Sequence, residues 1–224
     1  GGEGMARVAP AADRNKDVIW QVLAAELPPA GGASLRLLEV ASGTGQHAAH
    51  FAAWRADLVV QPTDRDLEQA ASVAAHAALC GAAERVLPLA RLDVTAGAGE
   101  LGAGAPFDAA VCINMLHISP PECGAGLFDA CASVLRPGGL LLTYGPYRVD
   151  GFLSPSNQQF ELGFLKAQDP SFGIWEVRDL ERLAEERGFR LESSHEMPAN
   201  NLSLIWRFAG EGGVGGEGGE GEDA

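Results

Sequence analysis

The amino-acid sequence predicts an α/β fold: a doubly wound, mostly parallel sheet of seven strands with an antiparallel hairpin at its C-terminal end. Short apolar runs alternate with helical patterns through the middle of the chain. A glycine-rich turn follows the first of these runs, and two more strand patterns follow the last helix. The length of 224 residues suits one such domain.

Five short apolar runs predict buried parallel strands, because none shows the alternation of a strand with one face in water. They are Leu35–Val40, Leu58–Val60, Val86–Ala90, Phe107–Ile113 and Leu140–Tyr144. Three helical patterns lie between them, at Gln46–Ala53, Leu67–Leu79 and Glu122–Leu135. Alternation of strands and helices predicts βαβ units, with helices on both faces of the sheet.

Two further helices and two closing strands complete the predicted domain. The first helix, Asp13–Leu27, ends at a pair of prolines, and Arg178–Arg187 ends at Gly188. The strands Phe189–Ser194 and Leu202–Phe208 are close enough in sequence to pair antiparallel.

The stretch between Pro146 and Glu176 departs from this regularity. It is rich in Gly, Pro, Ser, Asn and aromatic residues, with one possible helix at Asn157–Lys166. In open α/β sheets, ligands bind outside the carboxyl ends of the strands. We therefore expect this insertion, which follows the last parallel strand, to form a lid or a wall of a substrate site.

The predicted domain covers residues 13–208, with a flexible segment before it and a tail after it. Residues 1–12 begin with GGEGM, which suggests a fragment boundary. Residues 209–224 are rich in Gly and Glu and should be disordered, because they cannot bury apolar surface.

Charge and composition exclude several classes of function. The formal net charge of −14 disfavours nucleic-acid binding, and no apolar run is long enough for a membrane span. No signal pattern opens the chain. The cysteines lack a CxxC spacing, which indicates free thiols and a cytoplasmic location: Cys80, Cys112, Cys123 and Cys131.

The segment from Glu39 to His47 follows a predicted strand and opens a predicted helix. Its Gly43 and Gly45 would allow a ligand to approach the backbone closely. At the end of the second strand, Asp64 is placed to accept hydrogen bonds from the two ribose hydroxyls of an adenosine cofactor. Asp93 ends the third strand, where a carboxylate can receive an adenine amino group.

Each of these features also has a purely structural interpretation. The two glycines could simply make a tight turn. Asp64 could cap the helix that follows it, since Asp is a favoured N-cap residue, and Asp93 could cap or turn in the same way.

The order of these features resembles that of class I S-adenosylmethionine-dependent methyltransferases, over Asp13 to Phe208. The first motif of that fold is an acid followed by three alternating glycines, and here it has Ala in place of the first glycine. Asp64 and Asp93 match the ribose and adenine acids. The resemblance implies S-adenosylmethionine as cofactor, held by Glu39, Ala41, Ser42, Gly43, Gly45, Asp64, Asp93 and Asn114.

A narrower resemblance is to the methyltransferase-like 26 family, whose substrate is not established. The segments that carry it are Ala12–Asp17, Ser42–Phe51, Thr143–Tyr147, Ser156-Asn157 with Phe160, and Met197–Asn201. One departure is the link Ile174–Val177, which is longer than the resemblance implies.

Three residues near the predicted acceptor site are candidates for catalysis: His117, Tyr144 and Tyr147. Histidine has a pKa near neutrality and suits a general base, and the tyrosines could orient an acceptor. Each could instead be a packing residue. His47 and His50 lie on one helix face, but no third ligand is evident, so no metal site is predicted.

The sequence thus predicts an enzyme that transfers a methyl group from S-adenosylmethionine to a small-molecule or protein acceptor. Two alternatives stay open. The chain could be a non-catalytic module that binds S-adenosylmethionine or a protein, or an NAD-dependent oxidoreductase, since Gly43-x-Gly45-x-x-Ala48 also fits the dinucleotide fingerprint. The stretch after the fourth strand lacks the Asn-Pro-Pro-Tyr motif of nucleobase methyltransferases. Neither the acceptor nor the oligomeric state follows from the sequence.

Overall fold

The computed structural model describes residues 5–99, 101 and 106–210. The predictions for residues 1–4 and 211–224 lie outside this range. The strands are β1 Leu35–Val40, β2 Leu58–Asp64, β3 Ala90–Arg91, β4 Phe107–Ile113, β5 Leu135–Pro146, β6 Phe189–Met197 and β7 Asn201–Phe208. The helices are α1 Pro10–Glu26, α2 Gln46–Trp54, α3 Ala70–Leu79, α4 Glu122–Val134, α5 Pro155–Phe160, α6 Lys166–Gln168 and α7 Val177–Glu185.

The strands form one sheet in the order β3-β2-β1-β4-β5-β7-β6. Strands β1 to β5 pair parallel, and β7 lies antiparallel between β5 and β6. This confirms the predicted seven-stranded α/β fold and its terminal hairpin. The chain order reverses between β1 and β4, so a crevice opens there at the carboxyl ends of the strands.

Both faces of the sheet are buried, which explains why the parallel strands are mainly apolar. Leu37 of β1 packs in the core beneath α1, α2 and α3. The neighbouring residues Leu38 and Val40 lie on the opposite face of the sheet, in the core beneath α4 and α7. In the described residues, no helix is both long and apolar enough to cross a membrane.

The third strand is shorter than predicted and lies further along the chain. A single bridge joins Val86 to Val60, and the paired strand begins only at Ala90. Between them, Pro88 has no amide hydrogen for a ladder, and its carbonyl accepts a hydrogen bond from Gln61 Nε2 at 2.9 Å. The prediction of a continuous strand over Val86–Ala90 was therefore wrong.

The N-terminal helix starts earlier than expected, inside the segment predicted to be flexible. Pro10 occupies the first turn of α1, a position where the missing amide hydrogen costs nothing. The residues before it are held by side chains of the domain: Arg7 N donates to Ser72 Oγ, and Ala9 N donates to Gln46 Oε1. This segment therefore crosses the carboxyl edge of the sheet.

Candidate functional site

A cavity of about 530 Å³ opens at the carboxyl ends of β1, β2 and β4. Its wall is completed by the start of α1, the start of α4 and Phe172 of the insertion. The cofactor residues predicted from the sequence that line it are Ala41, Ser42, Gly43, Asp64, Asp93 and Asn114. These residues are distant in sequence and meet because parallel strands end at one edge of the sheet.

The two glycines of the loop serve different purposes. Both have positive φ, 51° at Gly43 and 86° at Gly45. A Cβ at Gly43 would meet no atom within 4 Å, and the residue lines the cavity. A Cβ at Gly45 would lie 2.7 Å from Val73 Cα. Gly43 therefore keeps space open for a ligand, whereas Gly45 allows α2 to pack against α3.

Asp64 is bound to the glycine loop and does not cap the helix that follows it. Its Oδ2 accepts a hydrogen bond from Gly43 N at 2.9 Å, and its Oδ1 accepts one from Arg65 N at 2.8 Å. Helix α3 begins only at Ala70, after Gln69. The capping interpretation of Asp64 is thus excluded, and its half-buried carboxylate stands at the edge of the cavity.

Asp93 both caps a short helix and lines the cavity. Its Oδ1 accepts hydrogen bonds from Thr95 N at 3.0 Å and Thr95 Oγ1 at 2.7 Å, at the start of the 3₁₀ turn Val94–Ala96. These bonds lower the pKa of Asp93. The group is therefore an ionised acceptor at neutral pH, held in place by one of its two oxygens.

Glu39, predicted as a cofactor residue, lies behind the loop and not in the cavity lining. The residue is 1% exposed, and its Oε2 has no hydrogen-bond partner. Burial raises its pKa to about 8, and the Ser42 hydroxyl and the backbone amide of Ala48 offset only part of this rise. Such a buried acid can compensate positive charge on a ligand that reaches the loop.

A histidine joins Glu39 to the N-terminal helix. His47 Nε2 lies 2.8 Å from Asn15 Oδ1, and His47 Nδ1 lies 3.9 Å from Glu39 Oε1. Burial lowers the pKa of His47 to about 4, so its ring is neutral at pH 7. Asn15 and His47 are 32 residues apart, so no local sequence signal could reveal this contact.

The three residues predicted for catalysis are buried, and none of them lines the cavity. His117 packs edge-on against Phe160, and burial lowers its pKa to about 4. Tyr147 is buried beside Thr143, and burial raises its pKa far above the ordinary value. Tyr144 packs in the core beneath α1, beside Asn15, and burial raises its pKa as well. Their catalytic role stays a prediction.

Other lining residues were not predicted. Ala9, Ala11 and Ala12 reach the cavity because α1 crosses the edge of the sheet, and Cys123 reaches it from α4. Small apolar residues carry no chemical signature in a sequence.

His50 Nε2 lies 3.1 Å from Asp17 Oδ1, and the described part of the chain holds no group of three metal-ligating side chains.

A sequence family described as "Protein of unknown function (DUF938)" matches residues 6–208. The chain belongs to the DUF938 family. The match spans every strand of the sheet and every residue of the site described above.

Three solved structures with a similar fold are named as methyltransferases. An O-methyltransferase family protein from Burkholderia thailandensis has a TM-score of 0.71 at 16% identity, over 90% of this DUF938 chain and 57% of its own. The S-adenosylmethionine-dependent methyltransferase SibL has a TM-score of 0.68 at 19% identity, over 88% and 55%. The mitomycin 7-O-methyltransferase MmcR has a TM-score of 0.68 at 18% identity, over 89% of this chain and 55% of its own.

The DUF938 chain therefore has the fold of these three methyltransferases, and it spans little more than half of their length. At such low identity the likeness concerns the fold alone. Their acceptors say nothing about the acceptor of this chain.

Proposed function

We propose that this chain binds S-adenosylmethionine in the cavity and transfers its methyl group to a small-molecule or protein acceptor. The observation that carries the proposal is the pairing of Gly43 with Asp64 at the point where the strand order reverses. Gly43 leaves open space beside its backbone, and its amide fixes the carboxylate of Asp64 at the cavity edge. This is the arrangement that an adenosine cofactor requires: close backbone approach beside a ribose-binding acid.

The residues present fit the cofactor along the length of the cavity. Asp64 would hold the ribose hydroxyls, and Asp93 would receive the adenine amino group. Leu92 and Val94, on either side of Asp93, provide apolar surface for the adenine ring. The orphaned carboxyl of Glu39 lies behind the loop, where it can compensate the cofactor's positive charge.

When bound, S-adenosylmethionine supplies a methyl group already activated by its sulfonium, so the protein has mainly to bind and align. Asn114 and Met115 follow β4 and line the cavity together with Phe172. We assign these residues to the acceptor side. His117 lies behind this wall, next to Gly145, so a role for it would be to support Gly145 at the end of β5 rather than to touch the acceptor.

We further propose that the chain is a member of the methyltransferase-like 26 family and is cytoplasmic. Two of the segments on which that resemblance rests come together in space. Asn157 Nδ2 donates to Asn200 O at 2.8 Å, and Asn200 Nδ2 donates to Ser156 Oγ at 2.9 Å. The free cysteines and the acidic net charge support a reducing compartment and a partner other than nucleic acid.

Calorimetric titration with S-adenosylmethionine tests the cofactor. We expect binding that Asp64→Ala weakens by about 1–3 kcal/mol, because ribose hydroxyls would lose their acceptor. Asp66→Ala is the matched control, since Asp66 lies two residues away and bonds only to its own turn through Glu68 N. Absence of binding, or binding of NAD alone, would overturn the proposal.

Transfer itself is tested with S-adenosylmethionine carrying a labelled methyl group and a cell extract as the source of acceptors. A labelled product that depends on the protein and is lost with Asp64→Ala supports a methyltransferase. Binding of the cofactor without any labelled product would favour the non-catalytic module.

A further inference from the structure

Glu39 is a buried acid with no cation to pair with. The alternation of β1 directs Glu39 to the same face as Leu37, beneath α1 and α2. Among the residues that the structure describes, the only basic nitrogen within 4.0 Å of its carboxyl oxygens is His47 Nδ1, at 3.9 Å. An ionised carboxylate in this position would carry an uncompensated buried charge, which is costly.

The tautomer of His47 leads to the same conclusion. The amide oxygen of Asn15 can only accept a hydrogen bond, so His47 Nε2 carries the ring proton. In the neutral ring, Nδ1 then carries no proton, and its lone pair faces Glu39 Oε1. A carboxylate would set two electron-rich atoms against each other, whereas a protonated Glu39 would not.

The charged group that acts on Glu39 favours the neutral form of its carboxyl, and the titratable groups nearest to it on the other elements are neutral. Asp64 at the end of β2 adds a like charge that raises the pKa of Glu39. From α2, His47 is neutral, and from β4, Cys112 is a buried thiol whose pKa is raised. Lys16 on α1 acts on His47 and His50 and disfavours their protonation. The hydroxyl of Ser42 in the loop and the backbone amide of Ala48 act in the opposite sense and lower the pKa of Glu39.

We infer that Glu39 holds a proton in the ligand-free protein and releases it to solvent when the cationic end of S-adenosylmethionine reaches the glycine loop. The O–H bond of the carboxyl breaks, buffer takes up the proton, and the resulting carboxylate neutralises one positive charge of the ligand. This inference rests on the proposed function, because it takes its cation from that cofactor. It makes Glu39 a charge-compensating group whose state depends on occupancy.

The expected pH dependence follows from the sign of this coupling. A nearby opposite charge lowers the pKa of a carboxyl, so the bound form binds fewer protons than the free form. The affinity should therefore rise with pH below the pKa of the free form, about 8. Between pH 6 and pH 7 the dissociation constant should fall by close to tenfold, which is roughly one proton released per cofactor bound.

The test is titration calorimetry with S-adenosylmethionine at pH 7, in phosphate and in Tris, whose ionisation enthalpies differ. The wild-type protein should release close to one proton, which appears as a difference in binding enthalpy between the two buffers. Glu39→Gln, which keeps the size and cannot ionise, should bind more weakly and remove the buffer dependence. Glu192→Gln is the matched control, because Glu192 pairs with Arg207 on the terminal hairpin, and it should behave as the wild type.

The possible failures can be told apart. If the wild type binds with equal enthalpy in both buffers, or if Glu39→Gln still releases a proton, the inference is wrong while the proposed function stands. If no variant binds S-adenosylmethionine in either buffer, the proposed function fails. Should Glu39→Gln not fold, the wild-type proton count and its dependence on pH still decide the matter.

Discussion

The rim of the cavity and the buried wall beside it carry side chains of different kinds. At the rim, Asp64 and Asp93 are partly exposed and are fixed by backbone amide donors. In the wall, Glu39 and His47 are buried. Burial raises the pKa of Glu39 and lowers that of His47, so it favours the neutral form of each. The rim therefore offers ionised groups to a ligand, whereas the wall excludes charge until a ligand brings it.

This difference separates two kinds of substitution. Changes at the rim should affect ligand binding and leave folding nearly unaltered, since few packed atoms depend on those side chains. Changes in the wall should affect folding first. The following predictions test that division, beginning with the largest effect.

Gly45→Ala should lower the free energy of unfolding by about 2–4 kcal/mol. The added Cβ meets the backbone of Val73 at 2.7 Å and also forces a positive φ on alanine. Gly43→Ala is the matched control: it has the same positive φ but open space, so it should cost only about 1–2 kcal/mol while weakening cofactor binding. Denaturant titration measures both, and equal losses would contradict the division of roles between the glycines.

Thr143→Val should lower the free energy of unfolding by about 1–3 kcal/mol, because it leaves a buried donor without a partner. Trp206 Nε1 donates to Thr143 Oγ1 at 3.0 Å, and both side chains are buried. At the rim, Thr95→Val removes a hydroxyl bonded to Asp93 Oδ1 but retains the backbone donor, so stability should change by less than about 0.5 kcal/mol. Chemical denaturation that ranks the two variants in the reverse order would count against this account.

Glu39→Gln should change how stability depends on pH. The native pKa of Glu39, about 8, lies above the ordinary value of 4.5, so the native state binds more protons between these values. The free energy of unfolding of the wild type should therefore fall as pH rises, by about 1.4 kcal/mol from pH 6 to pH 7 relative to the variant. Unfolding of both proteins at each pH gives the difference, in which the buried histidines cancel. A constant difference would show that Glu39 is ionised throughout this range.

Ala41→Gly should raise the free energy of unfolding slightly, by about 0.5–1 kcal/mol. Ala41 has a φ of 57°, which glycine adopts without strain, and glycine's greater freedom in the unfolded chain offsets part of the gain. Ala199→Gly, with a φ of 59° in the hairpin turn, should stabilise by a similar amount. Only Ala41→Gly should also change cofactor affinity. A loss of stability in both variants, measured by thermal unfolding, would refute the strain at Ala41.

Much of the fold could be predicted because it depends on local patterns. The predicted bounds of β1 and β4 agree with the structure, since both strands are apolar runs between clear breaks. The third strand was misplaced because apolar character outweighed the effect of Pro88 in the prediction.

The residues of the site also differ in whether a local sequence pattern reveals them. The rim residues follow strand ends, and strand ends can be recognised in a sequence. The contact of Asn15 with His47 depends on how α1 crosses α2, and the burial of His117 depends on Phe160 of the insertion. Neither packing arrangement is encoded in any short segment, so residue type alone left His117 as either a general base or a packing residue.

A crystal structure of the protein with S-adenosylhomocysteine would test the central claim most directly. The account predicts the ligand in the cavity, with its ribose hydroxyls within hydrogen-bond distance of the Asp64 carboxylate and its adenine between Leu92 and Val94, beside Asp93. A ligand bound elsewhere, or one in the cavity that leaves Asp64 in contact only with Gly43 and Arg65, would contradict it.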